Sequence, residues 1–284
     1  MLNPSNTRRR LALAGLLLAL LGSAPAAAEG PAPVVLAPHR AVYNLSLLTG
    51  GEGSGGIESA QGRIAFDFAG DACEGYTLRY RQVTVLDSTE SGRRTLDVRT
   101  ATFEAGDGLT MRFRTDSEME GVPDDKVDGE AEVKGDGIAV RLREPRPETL
   151  SLPARAVFPT EHMKRILEAA RASKATYAVK MYDGSDTGKK MYDTLALIGR
   201  RIEPGAGADL EAAARQDALA KLPRWPVKIS YFVVGSADQT PAYTISFELY
   251  ENGISRALQL DYGDFVLKGD LQSLDVQAAS GCQR

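Results

Sequence analysis

Side chains able to do chemistry are sparse in this sequence, and their spacing rarely suits a reaction. His39 and His162 are its only two histidines and the only side chains that titrate near neutrality unperturbed. Neither stands beside a nucleophile signature, and Glu161-His162 lacks the second ligand four residues on that a zinc-binding helix needs. Asp186-Thr187-Gly188 spells the aspartic-protease triplet, but that chemistry needs two carboxylates sharing a proton and the triplet occurs once. It reads as part of a polar hairpin following Tyr182-Asp183-Gly184-Ser185. The Gly-rich run Gly50 to Gly56 has no Lys-Ser/Thr pair to make a phosphate loop. Asp116, Glu118, Glu120, Asp124, Asp125, Asp128 and Glu130 lack the spacing of a calcium hand and read as a solvated hairpin. These residues imply no catalytic group, no metal and no cofactor.

One cluster is more suggestive. Arg79, Arg81, Arg93, Arg94, Arg99, Arg112 and Arg114 fall mostly on the polar faces of successive alternating segments, and pairing those segments would gather them. Arg79, Arg81, Arg99, Arg112 and Arg114 could then hold an anionic partner, because a guanidinium fork grips phosphate or carboxylate bidentately. Cross-strand ion pairing with Asp87, Asp97 and Glu104 explains the same residues more simply.

The N-terminus assigns a compartment. Arg8-Arg9-Arg10, the apolar run Leu11 to Leu21 and Ala26-Ala27-Ala28 follow the order of an export signal, with cleavage expected after Ala28. The apolar run is shorter than the roughly 20 residues of a membrane span, and no later segment approaches that length. Residues 29–284 are therefore expected to be periplasmic and not integral to the membrane. Loss of the signal's three arginines moves the formal net charge from −4 to −7, the opposite of a nucleic-acid footprint. Cys73 and Cys282 are the only two cysteines. In an oxidising compartment they read first as one disulfide, the alternative being two buried thiols.

Period-two alternation runs through most of the chain. Ile64, Phe66 and Phe68; Tyr76, Leu78 and Tyr80; Leu109, Met111 and Phe113; Ile138, Val140 and Leu142; Tyr177, Val179 and Met181; and Tyr243, Ile245, Phe247 and Leu249 alternate with polar or small residues. Turn signals such as Gly106-Asp107-Gly108, Gly135-Asp136-Gly137 and Asn252-Gly253 separate them. About a dozen antiparallel strands are expected. Two helices interrupt: one capped by Thr160, with Met163, Ile166, Leu167 and Ala170 at helical spacing, and one from an Asp209 cap to Leu222, stopped by Pro223. The Pro-rich stretch 143–147 suggests two β-rich halves meeting near residue 155 within a single unit, clasped by the cysteine pair if it is bonded.

Several segments together resemble the EipB-type cell-envelope integrity family. They are Ala37-Pro38-His39-Arg40-Ala41-Val42-Tyr43, Cys73-Glu74-Gly75-Tyr76, Phe158-Pro159-Thr160-Glu161-His162, Tyr182-Asp183-Gly184-Ser185, Trp225-Pro226-Val227 with Ser230-Tyr231-Phe232, Glu248-Leu249-Tyr250-Glu251-Asn252-Gly253, and Cys282. The resemblance implies a mainly β fold built as a long bent antiparallel sheet, a β-spiral or half-open barrel-like form. It also implies a Cys73–Cys282 disulfide and a non-enzymatic role in envelope integrity and stress resistance. The expected partner is a periplasmic or envelope protein or peptide. A lipid or lipoprotein carrier is the alternative, by analogy with half-open sheets that hold acyl chains.

Overall fold

The computed structural model describes residues 32–50, 56–153, 155–207 and 209–278. The expected export signal and Cys282 lie outside them, as does most of the Gly50–Gly56 run. Two compact units divide the chain at Pro33/Val34, and the second, Val34–Arg284, carries every element below.

Its first eight strands are β1 His39–Thr49, β2 Ile57–Asp71, β3 Gly75–Ser88, β4 Gly92–Glu104, β5 Thr110–Met119, β6 Asp125–Lys134, β7 Gly137–Glu144 and β8 Glu148–Leu152. Helix α1, Pro159–Arg171, follows, then β9 Thr176–Met181 and β10 Tyr192–Ile198. After two short helical turns come β11 Arg224–Val233, β12 Tyr243–Tyr250, β13 Ser255–Asp261 and β14 Val266–Val276. All fourteen join one antiparallel sheet in the order β8-β7-β6-β5-β4-β3-β2-β1-β14-β13-β12-β11-β10-β9. The sheet is not closed: β8 and β9 are its edges, and the chain passes between them through α1. Residue 155 therefore lies in the passage from one edge to the other, and strands from both sides of it share the sheet.

The alternation seen in the sequence separates two faces. Rows across β3, β4, β5 and β6 read Tyr76–Glu104–Met111–Ala131, Leu78–Thr102–Phe113–Gly129 and Tyr80–Thr100–Thr115–Val127 on one face. On the other they read Arg79–Ala101–Arg114–Asp128 and Arg81–Arg99–Asp116–Lys126. The first set is mostly buried and the second mostly wet, because side chains in a strand point alternately to opposite faces. Two core clusters fill the buried face. One gathers Tyr43, Ile64, Phe68, Trp225, Ile229 and Leu249 with Ile166 and Leu167 of α1. The other joins Met111, Phe113, Ile138 and Leu142 to Phe158 and Tyr182.

Helix α1 begins two residues earlier than expected. Phe158 is the N-cap and offers no side-chain bond, while Pro159 occupies the first turn. Pro tolerates that place because the missing N–H would be unsatisfied there anyway. Thr160 lies inside the helix, and its N–H is taken by Glu104 from the end of β4 (3.0 Å to each carboxylate oxygen). A remote carboxylate thus replaces the local cap.

The expected helix over 209–222 is not continuous. The segment makes a 3-10 turn, Ala212–Arg215, and a four-residue α2, Asp217–Ala220, separated by extended Gln216. Tertiary demands on Glu211 explain the break. Its Oε1 accepts from the N–H groups of Ala257 (3.2 Å) and Leu271 (3.4 Å), in β13 and β14 respectively. Those strands pair only from Leu258 to Asp261 and part beyond. Glu211 fills the gap, and Arg256 bonds both Glu211 and Glu248 (2.5 Å each), with Arg224 also on Glu248 (2.5 Å).

The loop between β9 and β10 folds onto the buried face of β5–β7. Tyr182 donates its hydroxyl to the Gly188 carbonyl (2.8 Å), and Lys189 reaches Glu148 of β8 (2.6 Å). Gly184 has φ +70°, and a Cβ there would overlap the Phe113 ring, so glycine is required on both counts.

Candidate functional site

Two recesses open beside the N-terminus of α1, on the buried face. The first, about 190 Å³, has apolar walls from Leu36, Phe66, Phe68, Leu78, Pro159 and Met163, with His39, Glu104, Thr160, Asn252 and Ser255 as its polar residues. The second, about 380 Å³, is lined by hydroxyls of Thr100, Thr102, Thr115, Ser117 and Ser185, and by Asp125, Asp183 and Asp186. Leu78 and Pro159 wall both. The topology explains the lining. The inner rows that hold Phe66 and Phe68 in β2 continue through Tyr80 and Leu78 of β3 to Thr100 and Thr102 of β4 and Thr115 of β5.

Burial sets the electrostatics. Desolvation raises the Glu104 carboxyl from 4.5 to about 7, against the lowering effect of its bonds to the Thr160 hydroxyl and N–H and of Lys164. The Thr160 hydroxyl donates to Glu104 at 2.8 Å. His39 donates Nδ1–H to the Ala37 carbonyl (2.8 Å) and stacks on Phe66 with centroids 5.2 Å apart. Desolvation lowers its pKa. His162 sits 3.1 Å from the Thr194 hydroxyl of β10, and burial takes its pKa down to about 4. Both imidazoles are therefore neutral at pH 7. Beside the second recess, burial pushes the Asp183 carboxyl up. Tyr231 and Tyr243 stack at 4.3 Å with Tyr192 edge-on to both, and burial raises all three hydroxyls.

His39 meets a carboxylate's pocket, as a catalytic pair would require, but each group is held by a different bond. His39 bonds to its own chain, and both Glu104 oxygens cap α1. The hydroxyl nearest the carboxylate, that of Thr160, donates to Glu104 in the same cap. His162 lies elsewhere, against Thr194 and Tyr177.

The arginines lie together on the wet face. Arg81 and Arg99 both bond Asp97 (2.7 and 2.5 Å), and Arg99 also reaches Glu118 (2.9 Å). Arg114 bonds Asp116 (2.9 Å), and Arg112 lies over the Phe103 ring (5.0 Å). Among the described residues only Arg79 of the five has neither an ion pair nor a ring. Of the acids expected to neutralise them, Asp97 does so. Asp87 instead accepts from Ser59 (2.7 Å), and Glu104 faces inward. Asp186 and Lys190 form an ion pair in the turn that holds Asp186-Thr187-Gly188. Cys73 is exposed in the turn joining β2 to β3.

Sequence reasoning passed over Glu104 as a site residue, although the signal was present. In Thr100-Ala101-Thr102-Phe103-Glu104, strict alternation places Glu104 on the face of Thr100 and Thr102. An acid on an inward row needs a buried partner. The partner, 56 residues away, is visible only in the fold.

Residues 31–278 match the family description EipB-like. The chain belongs to the EipB-like family. It is 35% identical over 264 residues to the "Cell envelope integrity protein EipB" of Brucella abortus (strain 2308), covering 91% of this chain and 92% of that protein. A crystal structure from Brucella abortus, titled as a beta-barrel-like protein of a domain of unknown function, superposes with a TM-score of 0.79 at 36% identity. The match covers 86% of this chain and all of that one. The mainly β fold expected of an EipB-like chain is present as the unclosed fourteen-stranded sheet. No helix among the described residues is long and apolar enough to cross a membrane.

Proposed function

We propose that this EipB-like chain is a non-enzymatic periplasmic protein that supports cell-envelope integrity by binding a protein or peptide partner. The envelope role follows from its similarity to the Brucella protein of that name. The observation that carries the non-enzymatic part is the capture of Glu104 by α1: the one acid in the apolar recess is spent on capping a helix. Export by residues 1–28 and a Cys73–Cys282 crosslink belong to the same reading, since an oxidising compartment would close a lone cysteine pair.

The small volume of the apolar recess supports peptide binding over lipid carriage. Pockets that enclose small-molecule ligands run to roughly 300–1,000 Å³ and are mostly apolar. The apolar recess holds about 190 Å³, below that range, and the larger one, about 380 Å³, mixes hydroxyls and acids with Leu78, Val98, Val127 and Pro159. The smaller recess is too small to enclose an acyl chain. Arg81, Arg99 and Arg114 are held in ion pairs, and an anionic partner would have to displace Asp97, Glu118 or Asp116 to reach them.

The test is a deletion strain challenged with detergents and cell-wall antibiotics, with native mass spectrometry of the protein taken from its own periplasm. Sensitivity restored by the wild-type gene, with peptide or protein co-purified, is the expected result. Co-purified lipid would favour the carrier instead. A deletion strain indistinguishable from its parent would defeat both.

A further inference from the structure

The two edges of the sheet differ. β8 has five residues with Pro147 and Pro153 flanking it, and short strands and prolines are devices that blunt an edge. β9, six residues from Thr176 to Met181, has no proline, and Lys180 is its one charged residue. Thr194 Oγ1 donates to the Val179 carbonyl and Ile198 N–H to the Ala175 carbonyl, so the odd-numbered residues of β9 face β10. Thr176, Ala178 and Lys180 therefore turn their main-chain groups to the free side. The chain already uses the far end of that side. Val157 donates to the Lys180 carbonyl (2.9 Å) and accepts from Tyr182 N–H (3.0 Å), a single parallel bridge. Among the described residues, the N–H groups of Ala178 and Lys180 and the carbonyls of Thr176 and Ala178 have no partner there.

Two further observations specify what fits. On the wet face, Leu195 and Leu197 of β10 stand opposite Ala178 and Thr176 and are 38% and 48% exposed. Ala178 is small enough for a large neighbour to lean across it toward them. At the start of β9, a recess of about 540 Å³ is bordered by Arg171, Lys174, Arg200 and Arg201. Arg171 bonds Glu251 (3.1 Å) and Arg201 bonds Glu203 (3.3 Å). Lys174 and Arg200 form no ion pair among the described residues, in a chain of net negative charge.

We propose that the open edge of β9, from Thr176 to Lys180, takes an extended segment of a partner protein as an added antiparallel strand, with large apolar side chains over Ala178 and an acidic C-terminal end at Lys174 and Arg200. Main-chain hydrogen bonds supply affinity in such an addition, and alternate side chains supply specificity. This rests on the reading that the protein works by binding a partner, and it names where.

The probe is a synthetic peptide of alternating valine and threonine ending in two glutamates, blocked at its N-terminus. It is added to the mature protein while amide hydrogen exchange is followed. Exchange at Ala178 and Lys180 should slow roughly tenfold when nine sites in ten are filled. Ala178→Pro should abolish that protection, because proline removes an N–H that β10 does not use, and Ala178→Ser, which keeps the N–H and a small side chain, should retain it. Absent protection, protection confined to other strands, or binding untouched by Ala178→Pro would overturn the proposal. The wild-type measurement decides even if the proline variant misfolds. Binding undiminished by changing both glutamates to glutamine would overturn the acidic end. In cells, a sensitive deletion strain fully restored by Ala178→Pro would overturn the edge alone. A deletion without phenotype would instead defeat the partner-binding reading and leave the peptide result standing.

Discussion

Glu104 gives the sharpest quantitative test of this structure. Its folded-state carboxyl keeps a proton up to about pH 7, whereas the ordinary value is 4.5. Folding therefore takes up a proton between those values, and stability falls as pH rises through the window. The penalty is absent below about pH 4.5 and complete above about 7. At ~1.4 kcal/mol per pH unit, an interval from 4.5 to about 7 corresponds to roughly 3 kcal/mol. Glu104→Gln removes the titration and keeps the shape, so its unfolding free energy should lack this component. His162 titrates with the opposite sign: its lowered pKa makes the fold lose stability as pH falls below 6.5 toward about 4. The wild-type curve alone is thus a composite, and the difference between wild type and variant isolates Glu104. Urea unfolding at pH 5, 6, 7 and 8 measures it. Relative to wild type, Glu104→Gln should gain about 3 kcal/mol between pH 5 and pH 8. Glu104→Ala should be destabilised throughout, because the buried Thr160 N–H and hydroxyl lose their acceptor at a cost of about 1–3 kcal/mol. Parallel curves for wild type and the Gln variant across that range would refute the burial and charge assigned to Glu104.

Other outcomes follow from separate parts of the molecule. Glu211→Ala should cost about 1–3 kcal/mol in denaturant unfolding, because the parted β13 and β14 lose a shared acceptor while Arg256 keeps Glu248. A loss below about 1 kcal/mol would show that the wedge between those strands is incidental. Gly184→Ala should lower the melting temperature, since its φ of +70° and the Phe113 ring both exclude a Cβ. An unchanged melting temperature would refute that packing. Cys282→Ser should lower it by several degrees, because closing a loop that spans most of the chain is worth up to roughly 5 kcal/mol. Two titratable thiols in the native protein would sink that proposal. His39→Ala and His162→Ala should each restore the deletion strain where the folded protein accumulates normally. Failure at normal abundance would reopen catalysis.

Local pattern carried the architecture. Alternation of one residue in two separated a wet face from a buried one in Tyr76, Leu78 and Tyr80 or Ile138, Val140 and Leu142, because strand geometry fixes the direction of each side chain. Turn glycines marked the hairpins, and Met163, Ile166, Leu167 and Ala170 marked α1 through its 3.6-residue period. The same alternation placed Arg79, Arg81, Arg99, Arg112 and Arg114 on one face. Everything that depended on distant partners stayed hidden. Thr160 has the look of a helix cap, yet the carboxylate that caps α1 comes from β4, 56 residues earlier. The 209–222 segment has helical composition, yet Glu211 is pulled into the gap between β13 and β14 and breaks it. Sequence order likewise gives no hint that β1 would pair with β14 and leave β8 and β9 as edges. Periodicity is a property of neighbours along the chain. Caps, wedges and sheet edges are set by which surfaces remain after the strands have paired, and only the tertiary structure decides that.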